Sequence, residues 1–299
     1  MKIDINPKID CVFKAIFGSE ENKDVLIHLL NAVLTPPTHK RISKVTILNP
    51  FNERTFENGK TSVVDIKATD SSGQHFQIEV QLAIHPALRE RMLFTWADIY
   101  HRQLLSGEKY HQLKPTVSIW FLDENLFPNV EAFLHRFGLM ERTRFERLTD
   151  HLDLHVIEMN KWQTCLGADT NTDADMDLWL EFLNCSRELD SDNLPEKFKT
   201  NVFKKAMSTL VHFTESDVAH DLYMRRMTHL SIENTWKAGL EEAHARADME
   251  AQLRQEAAAR ADMEVQLRQE ASARADEAVA KVEIMRKRMK DAGLDPDSL

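Results

Sequence analysis

The chain has 299 residues, a formal net charge of −10 and three cysteines. This length is enough to bury one large core or two smaller ones. The sequence is acidic and lacks the excess of basic residues that is typical of an extended nucleic-acid-binding surface. Any contact with a nucleic acid must therefore be local. Cys11, Cys165 and Cys185 are far apart and lack metal-ligand spacing, which argues against a disulfide framework and against structural zinc.

No apolar run follows a basic start, and no stretch approaches the roughly 18 consecutive apolar residues that a membrane helix needs. We therefore expect no contact with a membrane and a cytoplasmic location, which also fits the unpaired cysteines.

Hydrophobic periodicity and turn residues divide the chain into helices, three strands, a helix and a further strand, an order that predicts an α/β fold with a mixed sheet. We expect three regions: residues 1–130 as the core, 131–236 as a mixed, mainly helical extension packed on it, and 237–299 as a long charged helix. The tryptophans fall mostly in apolar patterns and are expected in the core. The predicted helices are 9–17, 20–35 and 86–107, and the predicted strands are 43–48, 62–68, 75–82, 116–122 and 151–159.

Two acidic residues face each other across a predicted β-hairpin. Residues 62–68 and 75–82 alternate apolar and polar side chains, which is typical of half-buried strands. A three-residue loop, in which Gly73 supplies the positive φ, pairs the strands so that Asp65 lies directly opposite Glu79. Their β-carbons are then about 4.5–5.5 Å apart, and like charges at that separation destabilise a hairpin. A divalent cation held by both carboxylates explains why both are present.

A 14-residue repeat begins at Ala245 and again at Ala259. Fourteen residues are two heptads, and Glu-to-Arg pairs four residues apart recur along the repeats, which favours a long exposed helix over residues 242–290. Charged layers alternate with Met and Leu layers along its coiled-coil seam, so we expect weak self-association. The apolar seam residues are Met249, Leu253, Met263 and Leu267, and the charged ones are Glu256, Arg260, Glu270 and Arg274.

Asp65, followed after 13 residues by Glu79-Val80-Gln81, resembles the Asp…(Asp/Glu)-x-Lys core of the PD-(D/E)xK nucleases, with Gln81 at the position of the lysine. Val64 stands before Asp65, where the motif has proline. Further matching positions make the chain similar to the PD-(D/E)xK nuclease family transposases, also called recombination-promoting nucleases, most clearly over residues 5–125. These positions are residues 9–18, 29–34, Arg91, Gln103 and residues 107–110.

The resemblance implies a restriction-endonuclease-like αβββαβ core with a mixed sheet and a metal-dependent cut in DNA. Asp65 and Glu79 carry hard oxygen ligands that suit Mg²⁺ or Mn²⁺, and the resemblance adds the Val80 carbonyl as a ligand. Gln81 lies two residues beyond Glu79, on the same strand face, where it could orient the attacking water. Being neutral, it cannot act as a base.

For several other residues, the sequence allows two alternative roles. Asp10 and Glu21 compete as the helical acidic residue aimed at the metal. We expect Asp10, which matches the family motif, whereas Glu21 suits a helix N-terminus. Lys14 could meet a phosphate or pair with Asp10. Arg91 and Gln103 could contact DNA, with the guanidinium of Arg91 gripping a phosphate, or they could tie their helix to the sheet.

A strand face that carries His151, Asp153 and His155 invites a second metal site, although alternating His and Asp on an exposed face are more often simply solvated.

We therefore expect an Mg²⁺-dependent DNA endonuclease. The alternative is a non-catalytic module that binds nucleic acid or protein and is assembled through its C-terminal helix. A nuclease toxin silenced by an inhibitor protein would share the chemistry of the first hypothesis. DNA is the expected partner, and a homo-oligomer is left open.

Overall fold

The structure is a computed structural model that describes residues 2–49, 64–162 and 174–291. It divides into two compact units, one ending at Thr228 and the other beginning at His229. Within the described ranges, no helix is long and apolar enough to span a membrane. The first two residues of the strand predicted at 62–68, and Cys165, lie outside the described residues.

Helices and a sheet make up the first unit, which is therefore of the mixed α/β class. Its helices are α1 (Asp10–Phe17), α2 (Lys23–Leu34), α3 (Leu88–His101), α4 (Met159–Trp162), α5 (Ala174–Cys185) and α6 (Asn201–Glu215). Its strands are β1 (Val45–Leu48), β2 (Ile66–Asp70), β3 (His75–Gln81), β4 (Thr116–Leu122), β5 (Leu134–Gly138) and β6 (Leu152–Glu158). The last helix, α7 (Asp217–Asp291), begins in this unit and continues through the second.

The described strands form one mixed, six-stranded sheet in the order β1-β2-β3-β4-β6-β5. Strands β1, β2 and β3 pair antiparallel, β3, β4 and β6 pair parallel, and β5 returns antiparallel on β6. A parallel pair needs a crossover, and α3 supplies it between β3 and β4. The mixed sheet expected from the sequence is confirmed.

The predicted register of the hairpin between β2 and β3 is also confirmed. Ile66 pairs with Ile78, and the N–H of Asp70 donates to the carbonyl of Gln74 at 3.1 Å. Gly73 has a φ of 86°, the left-handed conformation that this loop needs and that glycine adopts without strain.

Helices cover both faces of the sheet, so the central strands are buried on both sides. On one face, the ring of Phe13 from α1 packs 5.8 Å from that of Phe121 from β4. On the other face, Leu88 and Met92 from α3 pack in a cluster with Trp120. The polar residues of β3 on the α3 side are therefore enclosed instead of solvated.

The structure differs from the predicted elements in three places. Strand β5 was not predicted; it is an edge strand held by its pairing with β6, and its sequence lacks a clear period of two. Helix α3 ends at His101 instead of reaching residue 107. Trp236 is 77% exposed, so its expected place in the core is wrong.

Helix α7 has 75 residues, and it runs through both complete repeats. Its first turns belong to the first unit, where the hydroxyl of Tyr223, a buried residue, accepts a hydrogen bond from the N–H of Asn6. In the second unit, Glu-to-Arg pairs four residues apart line the helix, as between Glu250 and Arg254 at 2.6 Å.

Candidate active site

Two carboxylates meet at the end of the central hairpin. Asp65 lies in a bend directly before β2, and the pairing of Ile66 with Ile78 extends by one residue to place it opposite Glu79. Only 1% of the Glu79 side chain and 11% of the Asp65 side chain are exposed. The charge of Asp65 contributes to the raised pKa of Glu79, so the two carboxylates lie close enough to interact.

The electrostatics of this pair are unfavourable in the absence of a cation. Burial, reinforced by the charge of Asp65 and opposed by Arg91, raises the pKa of Glu79 to about 8. Burial also raises the pKa of Asp65, although the Val80 N–H and Lys14 oppose that change. Metal-free Glu79 therefore holds a proton through most of the neutral range.

Each carboxylate has one basic partner. The guanidinium of Arg91 lies 3.3 Å from Oε2 of Glu79 and also stacks over the ring of Trp120, at 5.5 Å from its centroid. The ammonium of Lys14 lies 3.1 Å from Oδ1 of Asp65. The sequence allowed Lys14 to pair with Asp10, and this reading is wrong, because the ion pair is with Asp65.

One oxygen of Glu79 remains unsatisfied. Within the described part of the chain, its Oε1 is buried and has no hydrogen-bond partner. A buried carboxylate oxygen without a partner is costly, and a cation bound there in place of the proton would remove that cost. In Asp65, by contrast, Oδ2 accepts a hydrogen bond from the N–H of Val80 at 3.0 Å.

Glu158, at the same edge of the sheet, shows the contrast. Its carboxylate is fully buried but accepts hydrogen bonds from the Phe127 N–H at 2.8 Å and from Lys161 at 2.5 Å, and it contacts His135 at 2.8 Å. Burial acts to raise the pKa of Glu158, but these partners lower it below the usual range. Glu158 is thus a satisfied structural carboxylate, whereas Glu79 is not.

Gln81 lies beside the pair at the exposed end of β3. Its Nε2 is 3.5 Å from Oε2 of Glu79, and the side chain is half-buried. It can donate to one group and accept from another, so it can orient a water molecule next to the carboxylates.

Asp10 begins α1 and lies close enough to raise the pKa of Asp65. Its Oδ1 accepts hydrogen bonds from the Cys11 N–H at 2.8 Å and from Nε of Arg226 at 2.9 Å. The competing candidate, Glu21, lies exposed in a 3₁₀ turn, where its carbonyl accepts from Lys205. Of the two, Asp10 is the one associated with the carboxylate pair.

Gln103 is placed away from this site. Its Nε2 donates to the carbonyl of Lys114 and to the hydroxyl of Thr116, and its Oε1 accepts from the N–H of Lys114. Thr116 begins β4, whereas Trp120 is the residue of β4 beside Glu79, and four residues of a strand span about 13 Å. Gln103 therefore ties the end of α3 to the sheet, the second of its two readings.

The strand face that carries His151, Asp153 and His155 does not form a second metal site in the described residues. His155 lies 3.1 Å from Asp153, but His151 instead makes a 2.8 Å hydrogen bond with Tyr100 of α3. In the described ranges, no group of three or more His, Cys, Asp or Glu side chains could hold a metal ion. The Asp65 and Glu79 pair accordingly offers two side-chain ligands and leaves other positions to backbone, water or substrate oxygens.

Two residues next to the site were not identified from the sequence. Gln77 is fully buried on the Glu79 face and donates from Nε2 to Thr95 at 2.9 Å, while its Oε1 has no partner within the described residues. Gln77 could have been identified from the sequence, because it is a polar residue two positions before Glu79 and therefore on the same face of the strand. Arg226 had no such signal, since it is separated from Asp10 by 216 residues.

Comparison with known proteins gives one match. The sequence model of a family described as PD-(D/E)XK nuclease family transposase matches residues 7–243 of the chain. The matched range contains the carboxylate pair, Arg91 and Arg226. Searches of curated proteins and of solved structures returned no match.

Proposed function

Because the chain belongs to the PD-(D/E)XK nuclease family transposases, we propose that it is a metal-dependent DNA endonuclease built on a restriction-endonuclease-like core. The observation that carries the proposal is the opposed Asp65 and Glu79 pair, with an unpartnered oxygen on Glu79 and raised pKa values on both. Perturbed carboxylates at one edge of a sheet are typical of sites that need a bound cation or a proton to work.

The donor set fits Mg²⁺ or Mn²⁺. Asp65 and Glu79 would hold the ion with the Val80 carbonyl, and the few protein ligands suit a cation that keeps several waters and binds phosphate oxygens. When bound, the ion would polarise the scissile phosphate and lower the pKa of a coordinated water.

The remaining side chains supply orientation and positive charge. Gln81 would hold the attacking water by a hydrogen bond, because its amide lies at the solvent end of the carboxylate face. Lys14 and Arg91 are 39% and 40% exposed, so each would remain accessible to a phosphate while it pairs with a carboxylate. Asp10, held by Arg226, would support the metal from α1.

A plasmid-nicking assay tests the proposal. The wild-type chain should nick supercoiled DNA in Mg²⁺ or Mn²⁺ but not in Ca²⁺ or EDTA. Asp65→Asn and Glu79→Gln should each reduce the rate about 100-fold or more, since each removes a charged ligand while keeping the shape of the side chain. Glu21→Gln is the matched control, because Glu21 is exposed and outside the site, and it should cleave like wild type.

Metal binding provides a second readout that does not depend on turnover. Calorimetric titration with Mn²⁺ should give one site in the wild type and in Glu21→Gln, and none in Glu79→Gln. Cleavage by Glu79→Gln at the wild-type rate would contradict the proposal. Metal-independent DNA binding without cleavage in any of these ions would instead support the non-catalytic module.

A further inference from the structure

The second unit presents a row of uncovered side chains along α7. In the described structure, Met249, Leu253, Met263 and Leu267 are all at least 60% exposed. Together with Glu256 and Arg260, which lie between Leu253 and Met263, they recur at alternating intervals of four and three residues, which is the spacing of coiled-coil core positions. Glu and Arg occupy the layers between them, so a partner that covers this seam must match both its apolar and its charged layers.

The charged layers follow a strict rule. Taking Met249 as position d of a heptad, every seam glutamate falls at d and every seam arginine at a. The glutamates at d are Glu242, Glu256 and Glu270, and the arginines at a are Arg246, Arg260 and Arg274.

This rule decides the orientation of a second copy. In a parallel pair, each d residue packs against d and each a residue against a, so glutamate would always meet glutamate or methionine and never arginine. In an antiparallel pair, each a residue packs against a d residue of the other helix. Glutamate then meets arginine, and methionine meets leucine, in the same layers.

We propose that α7 assembles two copies of this chain as an antiparallel coiled coil whose twofold axis crosses the seam between Glu256 and Arg260. In this register, the residue numbers of the two residues that face each other always add up to 516. Met249 faces Leu267 of the second copy, and Leu253 faces Met263. Glu256 faces Arg260 at the centre.

The same register matches the outer layers. Glu242 faces Arg274 of the second copy, and Arg246 faces Glu270. Beyond two mixed layers, Ile232 meets Ile284, and these side chains are 51% and 55% exposed. A shift by one 14-residue repeat would instead place Ile232 against Glu270, and a shift by one heptad would place Met249 against Arg260. The chain therefore selects one register, as specificity between alternatives requires.

The ion pairs within the helix agree with this arrangement. Within one helix, the seam pairs Glu242–Arg246, Glu256–Arg260 and Glu270–Arg274 are 3.3, 3.8 and 3.9 Å apart. On the flank, the corresponding distance between Glu250 and Arg254 is 2.6 Å. The central pair, Glu256 and Arg260, is thus held less closely by its own helix than the flank pair and is available to a second copy.

One flanking contact opposes assembly, because Glu250 comes near Glu264 of the second copy at the edge of the seam. Each of these glutamates is already bonded at 2.6 Å to an arginine of its own helix, Arg254 or Arg268. The repulsion is therefore small. The sequence by itself predicts weak self-association because charged layers interrupt the seam, and the antiparallel pairing departs from that expectation because its charged layers attract.

Charge reversal in the full-length chain tests the central layers. Sedimentation should show a wild-type dimer, and Glu256→Arg or Arg260→Glu alone should raise its dissociation constant at least tenfold, since each places like charges in both central layers. An equimolar mixture of these two variants should form a dimer as tight as wild type. In the mixture, residues 256 and 260 of each helix still carry the same charge as each other. Recovery of the dimer would therefore come from contacts between the two copies and not from contacts within one helix. Asp262→Arg, which changes an exposed residue at heptad position c outside the seam, is the matched control and should leave the dimer intact.

Cysteine cross-linking tests the orientation. Met249→Cys mixed with Leu267→Cys should yield a disulfide between the two chains, identified by peptide mass mapping, whereas Met249→Cys alone should not link to itself. A monomeric wild type, a dimer unaffected by both charge reversals, or self-linking of Met249→Cys would each overturn the proposal. The outcome is independent of nuclease activity, so it can fail without affecting the proposed function.

Discussion

At the scale of single residues, the site depends on how many partners each buried carboxylate has. Glu158 is surrounded by donors and acts as structure, while Glu79 keeps an oxygen without a partner among the described residues. The two differ by their neighbours and not by their strand positions, since both lie near the carboxyl ends of strands that run parallel. An incompletely satisfied carboxylate costs stability, which is the pattern expected of a functional residue and agrees with the metal-binding role proposed for Glu79.

The raised pKa of Glu79 predicts how stability depends on pH in the metal-free protein. The folded state binds this proton more tightly than the unfolded chain does, so stability is fully present below about pH 4.5, the ordinary pKa, and falls as the pH rises toward about 8. Glu79→Gln should remove this loss and be roughly 2–4 kcal/mol more stable than wild type at pH 9, but not at pH 4. Urea melts in EDTA at both pH values measure the difference. An equal pH dependence in both proteins would contradict this account.

Gln81 gives a second prediction at this scale. Gln81→Ala should lower the cleavage rate by about tenfold or more, the value of one well-placed hydrogen bond to the attacking water. Gln81→Lys restores the commoner residue of the motif and should retain activity. Single-turnover nicking rates compare the three proteins, and wild-type activity in Gln81→Ala would remove Gln81 from the mechanism.

At the scale of elements, the start of α7 is part of the first unit, which contains the proposed active site. Arg226 reaches Asp10 at the start of α1, and Tyr223 is buried beside Asn6. Helix α1 in turn supplies Lys14 to Asp65. The last helix is thus connected to the carboxylate pair through two ion pairs, and it should orient the acidic residue proposed to support the metal.

Two adjacent arginines allow this connection to be tested. Arg226→Ala should lower the cleavage rate several-fold and destabilise the fold by about 0.5–1 kcal/mol, the value of a half-exposed ion pair. Arg225→Ala is the matched control: Arg225 is 79% exposed and pairs with Asp221 on its own helix, so activity and stability should stay at wild-type values. The Mn²⁺ affinity of Arg226→Ala should fall as well, which a purely structural loss would not cause. Equal behaviour of the two variants would disprove the link.

At the scale of the whole molecule, the two units predict where the chain can be cut. A chain ending at Glu241 keeps Tyr223 and Arg226 and loses the repeats. It should therefore unfold at the same urea concentration as the full chain and bind Mn²⁺ with the same affinity. A chain ending at Ser216 loses both contacts and should be less stable by about 1–3 kcal/mol, because the apolar surface under Tyr223 becomes exposed. A lower midpoint for the chain ending at Glu241 would show that the second unit contributes to the fold of the first.

The sequence alone determined the hairpin register, the placement of Asp65 opposite Glu79 and the long exposed helix, because each follows from a local pattern of two or about 3.6 residues and a short loop. Only the tertiary structure decided that Glu79 is buried, that Lys14 pairs with Asp65, that Gln103 ties α3 to β4 and that Arg226 holds Asp10. These outcomes depend on which elements pack together, and on the donors that packing brings to a buried oxygen. Strand β5 belongs with them, since an edge strand is held by hydrogen bonds from a neighbour that its own residues do not specify.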